Sequence, residues 1–283
     1  MISLKKFENG FEYIEVQNRY AKAKIALQGA HLFHYKVKDK PALLWVSKKA
    51  YFEKGKAIRG GVPICFPWFG KHKVDTTLPQ HGFARTALWK VVLQEEQDDG
   101  TTHIRLELNS NPDTYTLWEY AFTCHIDIFI AQTLKMHLSV TNTDTKPFEI
   151  STALHSYFAI SNIETVYVKG LEDKVYYDAL KDAYFTQKGN LFIDKEIDRV
   201  YKNPLQNITL VDEEQHINIT HEGSKSLVVW NPWKEKSKEM VDMDENGYKH
   251  MLCLETSNAR EDSRILAPKQ THILTVNISQ AQI

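Results

Sequence analysis

Two stretches, FTCHIDIFI from Phe122 to Ile130 and LKMHLSV from Leu134 to Val140, place an apolar side chain on every second residue. Successive side chains of a strand point to opposite faces, so a period of two suits half-buried strands and leaves a helix without its apolar stripe. The two stretches are expected to lie side by side as antiparallel strands. The same alternation recurs at Ile104 to Leu108, Ile217 to Ile219 and Leu274 to Ile278. Turn-forming clusters at Asp98 to Gly100, Asn109 to Asp113 and Asn246 to Gly247 separate such runs. Many strands and few helices imply an all-β chain of stacked sheets. Periodicity alone does not distinguish a sandwich from a jelly roll or a barrel.

A chain of 283 residues with 42% hydrophobic content can bury a large core, and all-β domains of this length are often single units, so 1–283 is read as one domain. No internal repeat, linker or low-complexity tract interrupts it. A formal net charge of -1 argues against nucleic acid or an anionic membrane as partner, since both favour a basic surface. No apolar run approaches the roughly 18 residues of a membrane span, and the N-terminus, MISLKKFENGFEYIEV, lacks the apolar core of a leader. Cys65, Cys124 and Cys253 are scattered and odd in number, which suits free thiols in a reducing compartment; the expected location is cytoplasmic. The charged stretch Lys234 to Glu245 reads as a solvated loop beside the site, with the alternative that one of its lysines reaches a ligand.

Between Arg59 and Arg85 the chain reads RGGVPICFPWFG and later LPQHGFAR, an irregular segment stiffened by Pro63 and Pro67 and freed at Gly60 and Gly61 for backbone angles closed to other residues. Its arginines and histidine suit a polar, anionic small molecule. The alternative is a loop that caps the core with Phe66, Trp68 and Phe69. Gln80 offers a donor and an acceptor to sugar hydroxyls, or else stabilises a turn. His155 stands among apolar residues, where a histidine is commonly held by a backbone carbonyl. Glu255 ends the apolar run MLCL; at a buried rim its pKa would rise towards that of a working base, and at an exposed strand end it would not.

RGGVPICFPWFG with LPQHGFAR, followed in order by ALHSYF (Ala153 to Phe158), VVWNPW (Val228 to Trp233) and LCLE (Leu252 to Glu255), resembles the hexose-6-phosphate mutarotase branch of the aldose 1-epimerase family. GAHLFHYKV (Gly29 to Val37) and IDRVY (Ile197 to Tyr201) extend the resemblance over most of the chain. It implies a large antiparallel β-sandwich, the galactose mutarotase-like supersandwich, with the sugar on a concave sheet face. The implied reaction exchanges α and β anomers. A base removes the proton of the anomeric hydroxyl and an acid protonates the ring oxygen; the C1–O5 bond opens and the aldehyde rotates. By resemblance Glu255 is the base, His155 the acid, and His81 a hydrogen-bond donor near C1 and O5 that could itself be the acid. Asp198 matches a position that binds a sugar hydroxyl, unless it forms a surface pair with Arg199.

Arg59 and Arg85 would grip a phosphate through parallel charge-assisted hydrogen bonds, or either could tie the loop to the sheet through a salt bridge. Lys56, Lys71 and Lys73 flank them. The expected substrate is a small-molecule hexose phosphate, probed first as glucose 6-phosphate. Proton transfer requires no cofactor, and the 12 histidines form no HxH or HExxH set, so no metal is expected. Two positions depart from the resemblance: Ser156 stands where threonine is usual, and Glu255 is followed by Thr-Ser-Asn rather than Pro-Gly. The competing functions are a free-aldose 1-epimerase and a non-catalytic carbohydrate-binding sandwich in which Trp68, Trp230 or Trp233 stacks on a sugar.

Overall fold

In the computed structural model, which describes residues 1–281, Phe122–Ile130 and Leu134–Asn142 pair antiparallel from Phe122 opposite Asn142 to Ile130 opposite Leu134. The alternating apolar residues, among them Ile126, Ile128, Met136 and Leu138, are buried. Thr102–Asn109 extends the ladder on one side and Thr271–Ala281 on the other, within a nine-stranded sheet. These are the strands that period-two patterning locates, because one face is buried and the other is partly wet.

The second large sheet has eight strands, with Met251–Ser257 near its middle. Ser226–Asn231 pairs with it on one side, and Ala153–Leu154 and Tyr157–Ala159 pair with it on the other. Beyond Ser226–Asn231 come Ile197–Lys202, Val175–Asp178 and Ala183–Thr186. Every residue of Met251–Ser257 is buried, because both faces of the strand are covered. Its core side carries Leu252 and Leu254, which join Ile126, Ile128 and Leu138 in one apolar cluster. A four-stranded N-terminal sheet spans Ile2 to Val37, and a two-stranded ribbon joins Phe148–Ile150 to Arg264–Leu266. Strand outweighs helix by 47% to 7%, and the architecture is an antiparallel β-sandwich.

Two segments differ from the sequence reading. Lys234 to Glu245 is not simply a loop: Trp233–Glu239 is a short helix with Lys236–Glu239 and Lys238–Glu235 pairs on its surface, and chain without regular structure follows. The turn cluster Asn109 to Asp113 also opens a helix, Pro112–Leu117. Asn111 caps it by accepting from the Thr114 amide at 3.0 Å, while Thr114 Oγ1 accepts from the Asn111 amide at 2.8 Å. No helix among the described residues is long and apolar enough to cross a membrane.

The Arg59–Arg85 segment both caps and lines. Phe66 and Trp68 are buried in the core, whereas Phe69 faces a cavity. Gly60 and Gly61 have φ of +113° and +66° and press on the backbone of Trp45 and Leu32. Gly82, at φ +71°, is tighter still: a Cβ there would stand 2.0 Å from the Phe66 carbonyl oxygen. Gly55, at φ +79°, has nothing within 4 Å of its Cβ position. Alanine at Gly55 should therefore carry only left-handed strain of about 1–2 kcal/mol, and alanine at Gly82 should cost measurably more. Urea unfolding of the two variants checks this; equal midpoints would show that the Phe66–Gly82 contact gives way freely.

Candidate active site

The pairing of Ala153–Leu154 and Tyr157–Ala159 with Met251–Ser257 keeps one register, with Leu154 opposite Thr256 and Tyr157 opposite Cys253. Counting inward from both pairs brings His155 opposite Glu255. Alternation then puts His155, Tyr157, Cys253 and Glu255 on one face. The next strands extend that face, since Val228 lies opposite Glu255, Trp230 opposite Cys253, and Asp198 opposite Trp230. Above it opens a cavity of about 730 Å³, lined among others by Tyr157, Trp230 and Asp198. All seven residues singled out from the sequence meet here: Arg59, Gln80, His81, Arg85, His155, Asp198 and Glu255.

Glu255 is 1% exposed and its Oε2 has no hydrogen-bond partner; the buried His155 Nδ1 is likewise unpartnered. His155 Nδ1 lies 3.3 Å from Glu255 Oε1 without hydrogen-bond alignment. The distance alone would suit an ion pair, but burial acts against both charges. Burial, then His81 and the two arginines, hold His155 well below its ordinary pKa. Burial and the Asp198 charge push Glu255 well above the usual carboxylate range, against the pull of Arg85. The resting pair is thus a neutral imidazole beside a carboxyl group reluctant to ionise. Its ring plane is set by Tyr157, stacked at 4.8 Å and 7°.

His81 has a defined tautomer. The Gly70 amide donates to its Nδ1 at 3.2 Å, so the neutral ring carries its proton on Nε2. Burial, Arg85 and Arg59 lower its pKa to about 3, and the ring is 5.7 Å from that of His155. Asp198 is pushed up to about 6 by burial and by Glu196 and Asp178. It does not pair with Arg199, whose Nε reaches Asp178 at 4.0 Å and whose guanidinium lies over Tyr176. Strand alternation sends Asp198 and Arg199 to opposite faces.

The arginines differ. Arg59 donates from Nε to Asp242 Oδ2 at 3.2 Å and from Nη1 to the Tyr157 hydroxyl at 3.0 Å. Arg85 donates to the Gln80 carbonyl at 2.7 Å and has no carboxylate partner among the described residues. His31, from GAHLFHYKV, donates from Nε2 to the Gly60 carbonyl at 2.7 Å and so steadies the backbone beside Arg59. Asp242 and Tyr157 escaped the sequence reading: Asp242 lay in a charged run that looked solvated, and Tyr157 was only part of the ALHSYF motif. Lys56 pairs with Glu53 and Lys73 with Glu149, and neither they nor Lys71 line the cavity. Of the tryptophans considered for stacking, Trp230 lines it; Trp68 and Trp233 do not. The arrangement brings the Glu255 carboxyl and two imidazoles around one space, sufficient to take a proton from one atom of a bound ring and return one to its neighbour.

Comparison with known proteins identifies the family. Residues 12–279 match the aldose 1-epimerase family. A protein of Escherichia coli strain K12, provisionally named glucose-6-phosphate 1-epimerase, is 35% identical over 279 residues, covering 96% of this chain and 92% of its own. A protein of Cenchrus ciliaris with the same provisional name is 35% identical over 265 residues, covering 89% and 80%. The crystal structure of a provisionally named mutarotase from Salmonella typhimurium superposes with a TM-score of 0.93 at 32% identity, covering 100% of this chain and 94% of that one. The chain belongs to the aldose 1-epimerase family and is an isomerase that exchanges the anomers of a small-molecule sugar.

Proposed function

We propose that the substrate is a hexose 6-phosphate, glucose 6-phosphate foremost, and that residues 1–283 act as one mutarotase unit. The observation that carries this reading is the unpartnered His155–Glu255 pair facing the same cavity as Arg85, a cation without a carboxylate partner among the described residues. The provisional names of the Escherichia coli and Cenchrus ciliaris relatives point to the same substrate. Glu255 takes the anomeric proton, His155 protonates the ring oxygen, and the fixed Nε2–H of His81 orients the C1–O5 edge. Asp198 and Gln80 hold sugar hydroxyls. Arg85 grips the phosphate together with the free edge of Arg59. Burial and His81 contribute most to the low His155 pKa; a dianion between the arginines offsets the part they add, so the substrate raises the fraction of His155 that carries a proton to donate. A cytoplasmic setting, without nucleic-acid or membrane partners, completes the proposal; three buried unpaired cysteines and a net charge of -1 support it. The Arg59–Asp242 ion pair favours one rival, a free-aldose epimerase in which Arg59 is structural.

Replacing Glu255 by Gln or His155 by Asn should each remove about 10²–10⁴-fold of anomer exchange while glucose 6-phosphate still binds. Magnetisation-transfer NMR measures the exchange, and near-native rates in either variant would sink that residue's role. His81→Asn should weaken binding and rate together; abolished turnover with unchanged binding would move the acid to His81.

The pH profile follows from the direction of the Glu255 shift. The base is active when ionised, and its folded pKa is raised, so kcat/KM should fall with decreasing pH at a value above the ordinary carboxylate range. Asp198 contributes to that rise, so Asp198→Asn should move the limb to lower pH. The substrate phosphate titrates equally in both enzymes and cancels in the difference. A limb that stays in place would show that Glu255 does not set it.

Arg85→Ala should cost about 1.5–3 kcal/mol, roughly 10- to 150-fold in kcat/KM, for glucose 6-phosphate and little for glucose. Arg59→Ala should discriminate less, because Asp242 already engages that guanidinium. An unchanged ratio between the two substrates in both variants would favour the free-aldose reading.

A further inference from the structure

Behind the cavity wall the same register that opposes His155 to Glu255 brings in a third donor. Cys253 and Glu255 are two residues apart on one strand and share a face, and Tyr157, opposite Cys253, follows His155 on the facing strand. One ligand atom from each of His155, Cys253 and Glu255 lies within 4.8 Å of the others, and all three residues are buried. His155 Nδ1 and Glu255 Oε2 are buried atoms without hydrogen-bond partners. Buried polar atoms are nearly always satisfied, so two orphans beside a thiol mark a place with unspent coordinating capacity.

We propose that Cys253, His155 and Glu255 form a three-donor site for a thiophilic divalent cation of the zinc class, and that an ion there stops anomer exchange. One sulfur, one imidazole nitrogen and one carboxylate oxygen are the ligand types zinc and cadmium accept. With bonds of about 2.0–2.3 Å, tetrahedral ligands stand roughly 3.3–3.8 Å apart, so a modest closure from the present spacing suffices. His155 and Glu255 line the cavity, which gives the ion a path in and leaves a fourth position for water or a sugar hydroxyl. The bound ion occupies the lone pairs that proton transfer requires and stands in the way of the sugar, so it competes with substrate. Coordination uses the thiolate: the Cys253 proton leaves to solvent, and binding tightens as pH rises. Burial and the Glu255 charge hold that thiol well above its ordinary pKa, which sets a threshold that only a strongly thiophilic ion crosses. The inhibitory half rests on the proposed function; the binding half does not.

The test titrates chelator-stripped enzyme with cadmium and follows the ultraviolet thiolate-to-cadmium band. One ion per chain, proton release, and displacement by glucose 6-phosphate are expected. Cys253→Ala should lose the band and keep metal-free exchange, with sensitivity to cadmium or zinc reduced by more than about 10-fold. Cys253→Ser serves if the alanine variant does not fold, and substrate displacement in the unmodified enzyme needs no variant. Absence of the band, or the same band without Cys253, overturns the site. Exchange that continues at saturating cadmium overturns the inhibition. An intact band in an enzyme with no exchange at all supports the site and instead refutes the functional reading.

Discussion

The register of Met251–Ser257 against the chain from Ala153 to Ala159 is the constraint on which both core and site depend. In that register Leu252 and Leu254 enter the apolar core, while Glu255 looks into the cavity and Cys253 lies on the same face behind the cavity wall. A slip of one residue would exchange the two sets. Glu255 would then enter the core and Leu254 the cavity, losing about 1.5–3 kcal/mol for each leucine withdrawn and adding several more for an unpaired carboxylate. The residues that make the fold stable are thus interleaved with those that face substrate. The same pressure that buries the leucines leaves the carboxyl nowhere to point except across at His155.

The outer sheet was legible in the sequence because its strands have one core face and one partly wet face. FTCHIDIFI and LKMHLSV announce that asymmetry, and they pair as their alternation implies. The site sheet was harder to see. MLCLETS is buried at all positions, so the run carries no alternation to read, only apolarity that ends at Glu255, the one of its polar residues that lines the cavity. Both short helices were hidden by composition. Asn111-Pro112 is turn chemistry that also caps a helix, and the Lys/Glu-rich run after Trp233 balances its charges along a helix surface rather than in a solvated loop.

For the candidate site, residue type and motif marked the polar groups that converge, and local sequence could not mark those that act on them. Nothing near Asp242 says that it meets Arg59, because the two are 183 positions apart. Tyr157 carries no mark of a role in the local sequence, yet it is buried, stacks on His155 and accepts from Arg59. Cys253 read only as one of three scattered free thiols. Only the pairing of strands distant in sequence shows that it sits beside the proposed acid and base.

Electrostatics then accounts for the division of labour. Burial is the main reason that both histidines stay neutral and that Asp198 is reluctant to ionise; Arg59 and Arg85 add to it at the histidines, and Glu196 and Asp178 add to it at Asp198. Glu255, raised first by burial, feels both sides, raised further by Asp198 and lowered by Arg85. A neutral sugar entering this cavity would leave that balance nearly unaltered. A phosphate dianion would not: set against Arg85 and the free edge of Arg59, it would offset the arginines' share of what weakens the His155 nitrogen as a proton carrier. On this view discrimination between phosphorylated and free sugar comes partly from grip and partly from the acid itself, so a phosphate recognised at C6 changes the proton affinity at the reacting bond. The Asp242 contact limits the same effect in the resting enzyme, since it already spends part of Arg59's charge. Arg85 is left as the cation whose neutralisation by substrate changes the site most.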